Sequence, residues 1–217
     1  MKIVVYTAVF GGYDALLPPG MKVEASSDDL RYVCLTDEPQ QVPGWEYETP
    51  RIYTSDLRKE SRRAKILAHK YFPDADISIW HGGSFTLNVS PFEALSWLPP
   101  DKDVATLRHP HRDCVYDEAK AVLMLGKGDR RKVERQMSIY ESKGYPRHKG
   151  LAATTLMVRR HTKQMEELNE LWWKWVRDNS VRDQLAFPYV SWELGVEWAT
   201  IPGDLTRDPK WTWRPHG

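Results

Sequence analysis

The chain has 217 residues, 41% hydrophobic and 28% charged, with a formal net charge of +1. It is long enough to bury a core without staples, and too apolar and charge-balanced for a disordered or fibrous chain. Two distant cysteines, Cys34 and Cys114, exclude a disulfide framework and zinc-site spacing, and no apolar run reaches the roughly 18 residues of a membrane span.

Lys2 to Phe10 (KIVVYTAVF) is a continuous apolar, β-branched run ended by Gly11-Gly12, the pattern of a strand buried on both faces. It lacks the small-residue cleavage site of a secretory signal, so a cytoplasmic protein is expected. Arg31 to Thr36 (RYVCLT) is a second strand, closed by Asp37. Ser55 to Tyr71 reads as a helix with Ser55 at the N-cap; Pro73-Asp74 breaks it. Ile77 to Trp80 is a third strand, running into His81-Gly82-Gly83-Ser84. Ser90-Pro91-Phe92-Glu93 starts a helix, with Ser at the N-cap and Pro at the first helical position. Val104 to His109 is a fourth strand. Cys114 to Leu125 and Asp129 to Lys143 are helical, the second stopped by Gly144 and Pro146. Leu151 to Arg159 is a fifth strand. In the helix Thr162 to Asn179, Met165, Leu168, Leu171, Trp172, Trp175 and Val176 follow the spacing of one buried face. Ser180-Val181-Arg182-Asp183 opens another helix, and the tail from Gly203 has no periodicity. Strands alternating with helices predict an α/β domain with a mainly parallel sheet, whose ligands bind beyond the carboxyl ends of the strands.

Those strand ends carry the candidate chemistry. Gly11-Gly12 lets backbone approach a ligand closely, and Tyr13 can stack on a base. Asp37 suits a hydrogen bond to a base or ribose, or equally a turn. Arg58, Arg62, Arg63, Lys65 and Lys70 crowd one helix. Arg62 and Lys65 share a face, which suits a diphosphate or a solvated basic surface. His109-Pro110-His111-Arg112-Asp113 packs acid–base groups into one loop. Arg182 and Asp183 stand where a helix N-terminus favours anions, or form a local ion pair. Leu107 to Lys163 holds 14 Lys and Arg against six Asp and Glu. That excess reads as a surface for an anionic partner, although for Lys127 to Arg135 (KGDRRKVER) a solvated helix face is the plainer reading.

Taken in order, YTAVFGGYD, YVCLTD, R-x-A-K-x-x-x-H-K, YFPDADISIW, HPHRDCVYDE and SVRDQLAF resemble the glycosyltransferase-like family formerly called DUF616, which includes TOD1- and MUCI70-type proteins. The resemblance runs from about Lys2 to Val190. It implies a GT-A fold, a Rossmann-like, mainly parallel central sheet flanked by helices, in one domain. Residues 1–90 are then the nucleotide-sugar part, and 104–217 the acceptor-side part and tail. It implies Thr7 and Tyr13 near the nucleoside, Asp37 on the base, and Arg63 and Lys65 near the diphosphate. Trp80, Gly82 and Gly83 complete the donor-binding set. Asp183 and Gln184 fall beside the sugar. Arg112 is a further leaving-group cation; His109 or His111 is the candidate base if the reaction inverts, and Asp183 takes the larger role if it retains configuration.

One departure stands out. Where the family has W-I-D-G-S, this chain has Trp80-His81-Gly82-Gly83-Ser84, so Gly82 takes the place of a metal-binding acid. Arg and Lys then neutralise the diphosphate without Mn²⁺ or Mg²⁺. Alternatively, His81 and His216 supply softer ligands, or the chain binds without catalysing. The chain also starts at its first strand with no apolar anchor, as expected of a bacterial or phage member.

The expected function is transfer of a sugar from a nucleotide sugar, by resemblance a UDP-sugar, to an acceptor hydroxyl. The acceptor is a glycan, a lipid-linked sugar or, given the basic segment, a hydroxymethylated base in phage-type DNA. The alternatives are a degenerate nucleotide- or glycan-binding module, and a partner-binding protein using an exposed Trp172 and Trp175.

Overall fold

A computed structural model describes residues 1–20 and 29–214. The elements are β1 (Ile3–Val9), β2 (Leu30–Thr36), β3 (Glu46–Glu48), α1 (Leu57–Ile66), α2 (Ala68–Tyr71), β4 (Ile77–His81), β5 (Phe85–Leu87) and α3 (Pro91–Leu95). There follow β6 (Val104–Arg108), α4 (Val115–Met124), α5 (Arg130–Ser142), β7 (Ala152–Arg160), α6 (Lys163–Asp178), α7 (Asp183–Glu193), β8 (Ala199–Ile201) and β9 (Trp211–Trp213).

Seven strands form one sheet in the order β3-β2-β1-β4-β7-β6-β8, and β5 pairs with β9. β1 pairs in parallel with β2 and β4, as do β2 with β3 and β6 with β8. The exception is β7, antiparallel to both β4 and β6. The sheet is thus mainly parallel, as the strand–helix alternation predicts, with one reversed strand inside it.

Side-chain alternation divides the core between the two sheet faces. On one face Val4, Tyr6 and Ala8 of β1 and Trp80 of β4 pack with α1 and α4 to α7. On the other, Ile3, Val5 and Val9 join Ile77, Ile79, Trp97 and Trp211. Trp172 of α6 is fully buried, and Trp175 packs against the first cluster. An interface built on an exposed Trp172 and Trp175 is therefore overturned: their helical spacing marks a core face.

The helix starts follow the expected chemistry in most places. Ser90 accepts from the Glu93 N–H at 3.0 Å, with Pro91 at the first helical position; Asp129 and Thr162 cap α5 and α6. Two expected caps move. Asp56, not Ser55, caps α1, accepting from the Lys59 N–H. Ser180 accepts from the Arg182 N–H outside the helix, and α7 begins at Asp183 with no side-chain cap. Among the described residues, no helix is long and apolar enough to cross a membrane.

β7 carries a bulge. Thr106 of β6 faces Met157, but the next residue, Leu107, faces Ala153. The Thr106 hydroxyl fills the gap, meeting the carbonyls of Ala153 at 3.3 Å and Leu156 at 2.9 Å. Bulges re-aim side chains. Here Ala153 and Leu156 both face the second cluster, three positions apart, and the residues between them turn toward the other face.

Candidate functional site

β1 lies between β2 and β4, so successive connections leave it in opposite directions. That is a topological switch point, where open α/β sheets leave a crevice beyond the strand ends. A cavity of about 370 Å³ opens there. Its walls are the end of β1 (Ala8 to Gly11, Tyr13, Asp14), the end of β4 (Trp80, Gly82 to Ser84), α1, the bulge of β7, the start of α7, and Trp213. The first turn is held open by backbone: Gly11 and Gly12 have φ of 63° and 61°, a region that favours glycine. A Cβ on Gly83 would stand 2.8 Å from Asp14 Oδ2, so a side chain there would displace that carboxylate.

α1 presents Arg58, Arg62 and Lys65 to the cavity, at spacings of four and three that share one helix face. Their countercharge comes from α7. Asp183 Oδ2 meets Lys65 Nζ at 2.5 Å, and Oδ1 meets Arg62 Nε at 3.0 Å. The Thr154 hydroxyl donates to Asp183 Oδ2 at 2.9 Å and accepts from Lys65 Nζ at 2.7 Å. Burial would raise the Asp183 carboxyl; the charges of Lys65 and Arg62 overcome it and hold it at about 2. Burial is also the largest influence on Lys65 and brings its ammonium down to about 8, against the pull of Asp183. Arg159, buried beneath them, donates to the Lys65 and Ile66 carbonyls. It thereby fixes the C-terminal end of α1, where a cation is favourable. Pro188 inside α7 has no N–H to give the Gln184 carbonyl four residues earlier.

Of the residues singled out from the sequence, Gly11, Tyr13, Arg58, Arg62, Lys65, Trp80, Gly82, Gly83, Arg182, Asp183 and Gln184 line this cavity. Thr7, Asp37, Arg63, His81, His109 and Arg112 do not. Thr7 is fully buried and lies two positions from Val5 and Val9 on β1, so strand alternation points it to the opposite sheet face. Asp37 accepts from the Gly11 N–H through both oxygens, at 2.9 and 3.1 Å; it braces the turn after β1. Arg63 is turned away: its guanidinium lies 3.9 Å from the Tyr53 ring centre and donates to the Tyr71 hydroxyl. Arg62, one residue earlier, takes the cavity position that the resemblance implied for Arg63.

His81 follows Trp80 on a strand, so it faces the other side, packed between Trp45 and Phe85. Burial lowers its ring to about 4, which leaves it neutral. His109 accepts the His111 and Arg112 N–H groups at Nδ1 and sets Nε2 against Glu118. Arg112 pairs with the same Glu118. Both therefore brace the loop after β6, and neither lines the cavity. His216 lies outside the described residues.

Thr154, Thr155 and Trp213 also line the cavity and carry no role in the sequence reading, and Asp14 enters it only as the end of the loop after the first strand. For Arg58 and Arg182 the sequence leaves the ligand-facing and the plain readings both open. The signal for Arg58 was present, because it precedes Arg62 by one helical turn. Nothing local marks Thr154, which reaches the site only through the bulge.

Among the described residues, the cavity does not offer the donor set of a divalent metal. Both oxygens of Asp183 are engaged, Gly82 has no side chain, and His81 faces away. Asp14 is the other carboxylate among the described lining residues, beside the cations Arg58, Arg62, Lys65 and Arg182. Hard divalent cations take several oxygen ligands.

Comparison with known proteins accords with this architecture. In solved structures, the bifunctional glycosyltransferase WbbM in its apo form superposes with a TM-score of 0.57 at 9% identity, over 93% of this chain and 39% of that one. Apo mouse xyloside xylosyltransferase 1 gives 0.50 at 10% identity, over 92% and 84%. The shared fold is of the GT-A type. A probable hexosyltransferase, MUCI70 of Arabidopsis thaliana, is 25% identical over 213 residues, 87% of this chain. This chain spans 37% of that relative's length. The model of the TOD1/MUCI70 glycosyltransferase-like domain matches residues 49–201, from the approach to α1 through β8, and the chain belongs to that family.

Proposed function

We propose that the chain is a glycosyltransferase that takes a sugar from a nucleotide-sugar donor to an acceptor hydroxyl in the cavity at the ends of β1 and β4. One observation carries this reading: four cations, Arg58, Arg62, Lys65 and Arg182, converge there with two carboxylates, Asp14 and Asp183. As the anomeric C–O bond breaks, negative charge grows on the departing nucleoside diphosphate. Fixed cations in a partly dry cavity stabilise that charge where it forms. The acceptor oxygen forms the new bond to the anomeric carbon and passes its proton to an oxygen of the departing diphosphate. Asp183 serves as a fixed anion: it orients Lys65 and Arg62 and faces the positive charge that develops on the sugar. At about 2 it is too acidic for a base at neutral pH. Tyr13, 63% exposed at the rim, offers a ring for the nucleoside base. UDP is the nucleotide that the family resemblance favours, and the cation set stands in for a metal.

For the acceptor we take a glycan or lipid-linked sugar hydroxyl. A hydroxymethylated DNA base is the option raised by the basic segment 107–163. Part of that segment's charge is spent internally, since Arg159 is buried and bonded to Tyr6, Lys65 and Ile66.

The test is a thermal-shift panel of UDP-, GDP-, CDP- and dTDP-sugars with and without Mn²⁺. A ligand at a hundredfold excess over Kd stabilises the native state by about 2.7 kcal/mol. A metal-independent shift with one nucleotide supports the proposal, and no shift with any donor overturns it. The second reading, a degenerate binding module, draws on Gly82. It predicts the shift without slow donor hydrolysis; a transferase gives both.

A further inference from the structure

α4 ends in an exposed apolar tip. Its last residue, Met124, is 88% exposed, and Leu125 after it is 63% exposed. The backbone that presents them is tightly bonded. The Leu125 N–H donates to Ala121 O at 3.0 Å, Gly126 N–H to Leu123 O at 3.1 Å, and Lys127 N–H to Val122 O at 2.9 Å. Gly126 supplies the left-handed residue, at φ 63°, that closes a helix in this way. The two side chains are therefore held outward.

Cations follow the tip along the chain. Lys127, Arg131, Lys132 and Arg135 are exposed and make no ion pair among the described residues. Arg130 is matched by Glu134 at 3.1 Å, and Asp129 is used as the α5 cap. The loop is also tied to the cavity: Arg182, a lining residue, donates from Nε to the Lys127 carbonyl at 2.7 Å.

An apolar point followed along the chain by four exposed, unmatched cations matches the profile of an anionic bilayer. Aliphatic side chains enter the acyl boundary while ammonium and guanidinium groups stay at headgroup level. A nucleic acid would satisfy the cations and leave Met124 and Leu125 in water. A second copy of this chain would set like charges against one another. We propose that Met124 and Leu125, with Lys127, Arg131, Lys132 and Arg135, dock this protein on an anionic lipid surface beside the mouth of the cavity.

The experiment is co-sedimentation of the full chain with phosphatidylcholine vesicles, with and without phosphatidylglycerol, at low and high salt. Binding is expected only with phosphatidylglycerol, weakened by salt. The pair Met124→Gln, Leu125→Gln, which leaves the charge unchanged, should lose about tenfold in partitioning. Arg131→Gln and Lys132→Gln should each lose about fivefold at low salt. All four positions are exposed, and each variant should keep the wild-type melting temperature and donor-nucleotide thermal shift. The proposal is overturned by equal binding to neutral vesicles, or by undiminished binding of the Met124/Leu125 variant. Tighter binding to duplex DNA than to anionic vesicles overturns it too, as does a dimer in sedimentation velocity that this variant abolishes.

Discussion

The indole N–H of the buried Trp172 donates to the backbone carbonyl of Asp183 at 2.9 Å. The core face of α6 therefore sets the point from which α7 starts, and with it the carboxylate at the centre of the cation cluster. The same ring lies 5.7 Å from Lys65 Nζ. Trp172→Phe keeps an aromatic ring and removes the donor. A loss of about 1 kcal/mol in urea unfolding is expected, together with a raised donor Kd by calorimetry. A variant that lost stability and kept full donor affinity would show that this bond does not position the site.

Asp183→Asn should cost far more than a surface change. It leaves Lys65 buried without its countercharge, a loss of about 3 kcal/mol at neutral pH. In the wild type the Asp183 carboxyl is depressed from 3.8 to about 2 in the folded state. Its stabilising contribution is thus complete above the ordinary carboxyl value and disappears as pH falls toward 2. Urea midpoints measured down this range should fall steeply for the wild type and more gently for the variant.

Lys65 titrates in the opposite sense. Its ammonium is brought down to about 8, so the empty cavity holds this charge below that pH and sheds it above. Donor affinity should be flat up to about pH 8 and decline beyond it. A bound diphosphate raises the lysine again, so binding near pH 9 should take up a proton. Calorimetry in two buffers of different ionisation enthalpy reads that uptake; identical heats would remove Lys65 from the donor site.

Gly82 has room for a side chain. A Cβ there meets only the Thr155 methyl, at 3.7 Å, and its φ is not in the left-handed region. Gly82→Asp should therefore fold with a melting point within a few degrees of wild type. It adds a carboxylate to the cavity that contains Asp14. The expected result is donor binding that is weaker alone and restored by Mn²⁺. Metal-independent, undiminished binding would show that position 82 lies away from the diphosphate.

Arg58→Ala and Arg182→Ala should each weaken donor binding by at least tenfold, since each removes a charge facing the diphosphate. Arg63→Ala should change it less than twofold while lowering stability slightly, because Arg63 packs on Tyr53 and Tyr71. Equal losses for Arg63 and Arg58 would contradict the assigned helix face.

The long elements were legible because their patterns are redundant. β1 is buried at all seven positions, and α6 repeats its apolar spacing over sixteen residues. β3, β5, β8 and β9 have three residues each, too few for a period to show. The reversal of β7 depends on connections and leaves no local mark. At the site, plain helical spacing joined Arg62 to Lys65, and that pairing is what the cavity shows; Arg63, taken from the family resemblance, faces elsewhere. Strand alternation argues likewise for His81, which follows Trp80 on β4 and so points to the opposite face of the sheet. Asp37 illustrates the opposite difficulty: a carboxylate at a strand end serves a turn or a ligand equally well until the Gly11 N–H is seen to occupy it.

The bulge in β7 makes chain length, more than side-chain identity, the vulnerable property of this strand. Ala153 and Leu156 share a face although they are three positions apart, because the ladder with β6 skips Thr154, Thr155 and Leu156 between Met157 and Ala153. Deleting one residue between them would reverse the facing of every residue on one side of the cut relative to the other. Thr154 would leave Lys65 and Asp183, or Met157 and Arg159 would leave their core, with no polar or apolar substitution made. Divergence within this stretch is accordingly expected as exchange of residues at constant length.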